Sequence, residues 1–291
     1  MSPFFGRDCS PAEDPSIPVR DLRCGSLHLQ RECQTMQSIL SNTRKGPLGL
    51  IVAMVVLIVI FSILNPRFGS LENLQNLLYQ ASVPLIIVVG TTLVIQMGSI
   101  DLSPEGVMGA SGMAWILLSP NTRLALDFGV WAWVIALGLG LFLGILTGVI
   151  YAKLKVPSFV VSLGTWYVGL GIAILLYGNG LLPSLTSEAV ARWPSRLTLG
   201  LPNGFWLSAV VLAGGVLISQ FTHMGRGIMA IGNNETIARG SGMSVDRIKI
   251  AAFAIAGLLS GLAGILATMQ LGSGSSDIGY GQLFIVIPAA V

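Results

Sequence analysis

Charged side chains are scarce in this sequence of 291 residues, at 10% of the total against 53% for hydrophobic ones. Soluble domains carry about 25% charged residues, so an ordinary water-soluble globule is excluded. The scarcity is uneven, because residues 1–45 hold eleven of the 29 charges. The remaining 246 residues are nearly uncharged, which excludes disorder and a nucleic-acid module as the main reading and indicates a polytopic membrane protein.

Residues that carry enzyme chemistry are also few. The two histidines, His28 and His223, stand far apart without a metal-ligand spacing. A P-loop needs a lysine directly after a glycine, and the four lysines here follow Arg, Ala, Leu or Ile. Neither a Ser/His/Asp arrangement nor an HExxH motif is present. The sequence therefore predicts no enzyme, no cofactor and no metal, and any nucleotide hydrolysis must come from another chain.

The three cysteines, Cys9, Cys24 and Cys33, all lie in the polar N-terminal stretch. An odd number without regular spacing makes neither a disulfide framework nor a tetrahedral metal site. No short apolar signal-peptide core precedes residue 47. We expect residues 1–45 to form a polar, disordered tail, with Met36 as an alternative start, and residues 46–291 to form a transmembrane domain.

Long apolar runs follow one another along the rest of the chain. They lack the period-two alternation of barrel strands, so helices are expected. The fold class predicted is an all-α, polytopic transmembrane helix bundle of about seven to eight spans. The runs cover residues 47–64, 82–97, 106–118, 128–151, 158–177, 205–221 and 250–269, and an eighth begins at residue 283.

The placement of lysine and arginine predicts the orientation. With a cytoplasmic N-terminus, eight basic residues flank the spans on the inside, including all four lysines, and four flank them on the outside. This orientation makes the polar segment 222–249 cytoplasmic and puts residues 178–204 on the outer face.

Glycines recur every four residues in two of the runs, at Gly140, Gly144 and Gly148 and again at Gly257 and Gly261. This spacing lets two helix backbones approach closely. It favours packing between helices of this chain, with a seam between two copies as the alternative.

Two acids, Asp101 and Glu105, stand between the second and third runs. Ionisable residues near membrane spans are rare and often functional. The same stretch, Asp-Leu-Ser-Pro-Glu, also reads as a helix break and a new helix start, with a cap, a proline in the first turn and an acid at the positive end of the helix. Capping and loop geometry, a role in transport, and a role in gating or assembly all remain open at this point.

The polar segment 222–249 carries mixed charges between two apolar runs. A turn near residues 236–240 with flanking glycines predicts one or two short helices at the membrane surface. A solvated loop is one interpretation, and its length and charge also suit docking on a soluble partner.

Four segments, in order, resemble the permease subunit of ATP-binding-cassette importers of the ribose, xylose and galactose class. Residues 98–103 read GSIDLS, similar to that family's Gly-Gly-Ile-Asp-Leu-Ser, with Ser99 replacing the second glycine. Residues 155–165 resemble the family's entry into the next helix. Residues 232–243 resemble its ATPase-coupling loop, and residues 257–265 its glycine-rich helix. The resemblance covers about residues 46–291.

The resemblance implies a non-catalytic translocation subunit in the bacterial inner membrane. Its partners would be an ATPase subunit, a second permease copy or paralogue, and a periplasmic binding protein that delivers a small sugar. Residues 222–249 would dock on the ATPase, and residues 178–204, with Trp193, would meet the binding protein. The coupling residues implied are Gly232, Asn233, Asn234, Glu235, Ala238, Arg239, Ser241 and Gly242. The residues expected at the helix break beside the pathway are Gly98, Asp101, Ser103 and Glu105.

Other classes fit the sequence less well. A branched-chain amino-acid permease is the nearest alternative among importers. An ion-coupled secondary transporter would use membrane acids, which are scarce here, and a membrane-embedded enzyme would need a reactive constellation. The resembled family continues beyond residue 291 with further helices, so we expect a C-terminally incomplete permease.

Overall fold

The structure, a computed structural model, describes residues 46–65, 67–124 and 126–290. The predicted tail, residues 1–45, lies outside the described residues. The chain divides into two units, one ending at Phe68 and one beginning at Gly69. The first contains helix α1, Gly46–Leu64. The ring of Phe61, in the last turn of α1, packs against that of Phe68, with the ring centroids 5.6 Å apart.

The second unit is a helical bundle, which confirms the all-α prediction. Within the described ranges its other regular structure is an antiparallel ribbon of two strands with two residues each, β1 (Leu197–Thr198) and β2 (Leu201–Pro202). The helices are α2 (Leu71–Gln96), α3 (Pro104–Leu118), α4 (Val130–Leu154), α5 (Ser158–Tyr177), α6 (Glu188–Ala191), α7 (Asn203–Phe221), α8 (His223–Asn233), α9 (Glu235–Gly240), α10 (Val245–Leu271) and α11 (Gln282–Ala290).

Five helices of the second unit, α2, α4, α5, α7 and α10, are long and apolar enough to cross a membrane. The sequence predicts seven to eight spans because it counts apolar runs, and one of those runs forms a shorter helix. Helix α3 has 15 residues. A helix needs about 20 residues to span a bilayer unaided.

Helix α2 begins eleven residues before the apolar run at residue 82. Ser70 accepts a hydrogen bond from the Asn73 N–H and caps the helix, and Glu72 lies in the first turn. Counting apolar residues does not detect this capped, polar first segment, although it belongs to the same helix.

Helix α3 forms the centre of the bundle, because every residue from Pro104 to Ile116 is buried. Glycines make this possible. A methyl group on Gly106 would lie 2.1 Å from the Trp166 carbonyl oxygen of α5, and one on Gly112 would lie 2.9 Å from the Gly264 carbonyl of α10. The backbones of α5 and α10 therefore lie directly against α3.

The glycine repeats of α4 and α10 face each other within the chain. A methyl group on Gly144 would lie 2.4 Å from the Phe253 carbonyl oxygen, and one on Gly257 would lie 2.5 Å from the Gly140 carbonyl oxygen. The spacing thus serves intramolecular packing, as the sequence favours, and it fixes α10 against α4.

The Gly/Ser-rich stretch 272–281 packs against α3. Its Gly274 N–H donates to the Pro183 carbonyl oxygen at 2.8 Å, and Gly274 and Gly279 are both buried. A methyl group on Gly279 would lie 2.8 Å from the Cα of Glu105. Small residues let this irregular backbone enter the bundle, so it is a packed element rather than a loose connection.

Candidate functional site

The polar segment 222–249 folds into α8, α9 and the start of α10, so two short helices form where the sequence predicts one or two. Thr222 accepts a hydrogen bond from the Gly225 N–H and caps α8. Asn234 ends α8 and its Oδ1 accepts from the Ile237 N–H at 3.1 Å, capping α9. Helix α10 begins five residues before the apolar run at residue 250, so Lys249 lies inside a helix rather than in the loop.

Helix α8 packs directly on the end of α2. Ile228 and Ile231 are buried in one cluster with Val94 of α2 and with Met97, which follows α2 directly. Gly232 approaches closest, because a methyl group there would lie 2.1 Å from the Gln96 carbonyl oxygen. A displacement of α8 must therefore move the end of α2.

Helix α9 is tied to α10 by ion pairs. Glu235 accepts hydrogen bonds from Lys249 at 2.8 Å and from Arg239 at 3.1 Å. Arg239 also donates to Asp246 at 2.8 Å. Glu235 and Arg239 are half exposed, but the Lys249 side chain is only 8% exposed. The hydrogen bond from Lys249 is the largest cause that lowers the pKa of Glu235 below its ordinary value.

Lys249 and Tyr151 extend this network to the helix break, the stretch 97–103 between α2 and α3. The Lys249 ammonium lies 4.5 Å from the centre of the Tyr151 ring. The Tyr151 hydroxyl shares a hydrogen bond of 2.8 Å with the hydroxyl of Ser99. Contacts thus run from Glu235 to Ser99 through two side chains that sequence reasoning did not select. The one signal for Lys249 in the sequence is a cation directly before an apolar run.

A polar cavity of about 470 Å³ opens beside these contacts, between α9, α10 and the turn that joins α4 to α5. Its lining contains three cations and one acid, Lys155, Arg239, Lys249 and Glu235. Such a cluster at the end of a bundle can receive an acidic or hydrogen-bonding group of a partner protein.

The other predicted coupling residues have structural roles in the same turn. Ala238 is buried and Ser241 donates from its hydroxyl to the Ile237 carbonyl at 2.9 Å. Gly242 has φ +82°, a conformation that glycine adopts at little cost. Gly232, Asn233 and Asn234 form the α8–α9 junction. All eight predicted residues therefore lie within residues 232–242, which comprise the end of α8, Asn234, all of α9 and the two residues after it. We call these residues the coupling turn.

The helix break is held by local hydrogen bonds. Gly98 adopts φ +75°, which ends α2. Asp101 is buried, and its Oδ1 accepts from the Ser103 N–H at 2.9 Å. The Ile100 N–H donates to the Ser158 hydroxyl of α5 at 3.0 Å. Pro104 is the first residue of α3, as expected, but Ser103 makes no side-chain cap.

Glu105 is separated from the other residues of the break. It lies in the first turn of α3 and is buried, and its Oε1 accepts from the Leu283 N–H of α11 at 3.1 Å. The carboxylate thus satisfies one of the free N–H groups at the start of a second helix. Gly98, Asp101 and Ser103 thus share the break with Ser99, which contacts Tyr151, whereas Glu105 lies between α3 and α11.

The predicted outer loop, residues 178–204, contains α6 and the β1–β2 ribbon. Trp193 follows α6 and is 37% exposed. The Arg123 guanidinium, from the α3–α4 connection, donates to the Tyr177 carbonyl and anchors the loop at its start. In the part of the chain that the structure describes, no group of three His, Cys, Asp or Glu residues could hold a metal ion.

The lowered pKa of Glu235 predicts how stability depends on pH. The ionised carboxylate stabilises the fold above the unfolded-state pKa of about 4.3, and this contribution is lost as the pH falls through the lower folded-state pKa. We expect the melting temperature of the purified protein to exceed that of Glu235→Gln by a constant amount above about pH 5 and to converge with it in more acidic buffer.

The control for this titration is Glu188→Gln. Glu188 also pairs with an arginine four residues later, Arg192, but both side chains are largely exposed. Exposed pairs contribute about 0–1 kcal/mol, so this variant should melt close to the wild type at every pH. A difference in melting temperature between the wild type and Glu235→Gln that does not change with pH would contradict the assignment of this stabilisation to the ionised Glu235 carboxylate.

The family profile described as "Branched-chain amino acid transport system / permease component" matches residues 73–291. The chain is 36% identical over 246 residues to the ribose import permease protein of Haemophilus influenzae, covering 82% of this chain and 74% of that protein. Its identity to the ribose import permease protein of Escherichia coli K12 is 35% over 248 residues, 83% and 75% of the two chains.

A relative with another cargo is the autoinducer 2 import system permease protein of Escherichia coli, 30% identical over 256 residues, 88% of this chain and 73% of that protein. No solved structure matches the chain. The family match extends from the first turns of α2 to the last residue and includes the helix break and the coupling turn. The chain is therefore a multi-pass membrane protein of the branched-chain amino acid transport system / permease component family.

Proposed function

We propose that the chain is the permease subunit of an ATP-binding-cassette importer and translocates a simple sugar that a periplasmic binding protein delivers. The sugar follows from the relatives, two of which are ribose import permeases. In this proposal the chain hydrolyses no ATP itself. It sits in the bacterial inner membrane with a second permease copy or paralogue and with separate ATPase subunits.

The observation that carries the proposal is the contact of the coupling turn with two membrane helices, α2 and α10, and through Lys249 of α10 with a third, α4. Helix α8 touches the end of α2 at Gly232 and Gln96. Helix α9 touches α10 through Glu235 and Lys249, and Lys249 lies against Tyr151 of α4. A displacement of the coupling turn is therefore transmitted to α2 and α10 directly and to α4 through Lys249.

The mechanism follows from these contacts. An ATPase subunit engages α9 and the polar cavity beside it, with the N-terminus of the chain on the same, cytoplasmic side. Closure of the ATPases on ATP moves α8 and α9, and the bundle shifts between two arrangements that open to opposite sides. Because Ser99 shares its hydrogen bond with Tyr151, the helix break at Gly98, Asp101 and Ser103 moves with the turn. The outer loop with Trp193 receives the binding protein.

Uptake by proteoliposomes that contain the chain together with an ATPase subunit and a periplasmic binding protein from the same organism tests the proposal. We expect ATP-dependent accumulation of a labelled monosaccharide that persists with an uncoupler and disappears without the ATPase. Uptake that needs no ATPase and collapses with an uncoupler would identify an ion-coupled secondary transporter instead.

The family description supports a second cargo class, the branched-chain amino acids. Competition distinguishes the two. An excess of unlabelled leucine, isoleucine and valine should leave sugar uptake unchanged, and ATP-dependent uptake of these amino acids in place of any sugar would overturn the sugar assignment.

A further inference from the structure

A second cavity, of about 270 Å³, lies where the first turn of α3 meets α5 and the irregular segment 272–281. Pockets for drug-sized ligands measure about 300–1,000 Å³, so this one suits a smaller molecule such as a single monosaccharide. We call it the aromatic cavity. The polar and aromatic residues that line it are Glu105, Trp166, Tyr167, Ser276, Asp277 and Tyr280.

The aromatic rings of the cavity offer flat apolar faces. Trp166 and Tyr167 are stacked, with ring centroids 5.3 Å apart and planes inclined by 25°. Aromatic faces carry partial negative charge, which attracts the slightly positive C–H groups on one face of a sugar ring. Tyr167 and Tyr280 are 61% and 79% exposed, so both rings have surface left to contact a ligand.

The two carboxylates supply hydrogen-bond acceptors. Glu105 accepts from the Leu283 N–H at 3.1 Å, and Asp277 accepts from the hydroxyls of Ser275 and Ser276, both at 3.0 Å. An ionised carboxylate has two oxygens and about four lone-pair sites, so each group retains capacity for adjacent sugar hydroxyls. The existing bonds orient both groups before a ligand arrives.

The cavity lies deep along the bundle. Segment 272–281 runs antiparallel to α3: Ser273 bridges to Ser184 near the C-terminal end of α3, and Gly279 packs on Glu105 near its N-terminal end. With a rise of 1.5 Å per residue, Glu105 lies about 20 Å along the axis from the end of α3 at Leu118.

Non-helical backbone and ionisable side chains at such depth are tolerated where they are buried in protein or border water, and not against lipid. Asp277 and Tyr280 belong to this backbone and are exposed in the described part of the chain. The open side of the aromatic cavity therefore does not face lipid, and the water-filled space that a permease offers at this depth is the translocation pathway.

We propose that the aromatic cavity binds one monosaccharide in transit, through the C–H face of its ring and two adjacent hydroxyls. The proposal rests on the function proposed above and adds a binding site to it. It assigns a role to four residues that no sequence motif indicates, Trp166, Tyr167, Asp277 and Tyr280, and it places Glu105 in contact with the cargo.

Parallel measurement of uptake and ATP hydrolysis in the same proteoliposomes tests the site. In Tyr167→Ala and Asp277→Asn we expect uptake to fall about tenfold, the effect of losing one hydrogen bond to a charged group or an equivalent contact. ATP hydrolysis stimulated by the sugar-loaded binding protein should persist, because the coupling turn is untouched. Phe159→Ala, an exposed aromatic of α5 outside the cavity, is the control and should change neither rate. Wild-type uptake in both cavity variants would overturn the proposal.

A labelling experiment separates this site from the wider function, because it needs no transport. Tyr280→Cys, in a background with Cys9, Cys24 and Cys33 replaced by serine, should react with a water-soluble maleimide in membrane vesicles. Saturating D-ribose, D-xylose or D-galactose should slow the reaction severalfold, while Phe284→Cys on α11, outside the cavity, should show no sugar effect. Failure of residue 280 to react, or reaction unaffected by all three sugars, would overturn the site. Absence of wild-type uptake with every sugar would instead contradict the proposed function.

Discussion

ATP-driven uptake should fall at least about tenfold when Glu235 is replaced by lysine, because the substitution sets a third cation between two existing ones. The Glu235 carboxylate lies 2.8 Å from Lys249 and 3.1 Å from Arg239. Like charges a few ångströms apart repel by about 1–4 kcal/mol near a protein surface, and a cation in the first turn of α9 also opposes the helix dipole. We expect α9 to leave α10, which uncouples the ATPase from the bundle. Uptake and thermal stability of the detergent-purified protein measure the two effects.

Two further variants make this result specific. The double variant Glu235→Lys with Lys249→Glu reverses the pair and should recover a large part of the uptake. Glu72→Lys makes the same charge reversal in the first turn of α2, where the side chain is exposed, and should have little effect. Normal uptake in the single variant Glu235→Lys would show that α9 does not transmit the motion.

Replacing Gly169 with alanine should lower the melting temperature markedly. A methyl group there would lie 2.5 Å from the backbone carbon and oxygen of Gly106 in α3, and neither is a side chain that can rotate away. Overpacking of this kind lowers the free energy of unfolding by about 1–3 kcal/mol, and the buried position of α3 leaves little room for relaxation. The displacement would also shift Trp166 and Tyr167, which α5 carries.

The matched control stands two residues further along the same helix. Nothing lies within 4 Å of a methyl group built on Gly171. Alanine is about 1 kcal/mol better than glycine in a helix, so Gly171→Ala should melt at the same temperature as the wild type or slightly above it. Equal melting temperatures for the two variants would contradict the close packing of α3 against α5.

The helices and the positions of their breaks follow from local chemistry and could be predicted. Uncharged runs of helical length have few alternatives to a helix, and Gly98 and Pro104 stand between two of them, where α2 ends and α3 begins. The Asn234 cap and the glycines around it likewise indicate two short helices in the polar segment. Each of these features depends on residues within one or two turns of each other.

The contacts that join distant parts of the chain could not be predicted in this way. Glu105 bonds to Leu283, 178 residues away, and Ser99 to Tyr151, 52 residues away. Composition tells which side chains are apolar, but in a membrane protein both the lipid-facing and the buried faces are apolar, so periodicity does not identify partners. The packing of residues 272–281 against α3 could not be predicted for the same reason, since glycine and serine serve tight packing as well as flexibility.

The burial of α3 has a consequence for biogenesis. The helix has only 15 residues and begins with Pro104 and Glu105, so it is a weak candidate for independent insertion by the translocon. Its neighbours α10 and α11, and the segment between them, are synthesised more than a hundred residues later. Until they emerge, the Glu105 carboxylate has no Leu283 N–H to bind. Helix α3 therefore completes its packing only after the helices that follow it have been made, and we expect nascent chains halted before residue 283 to be degraded faster by membrane proteases than the finished protein.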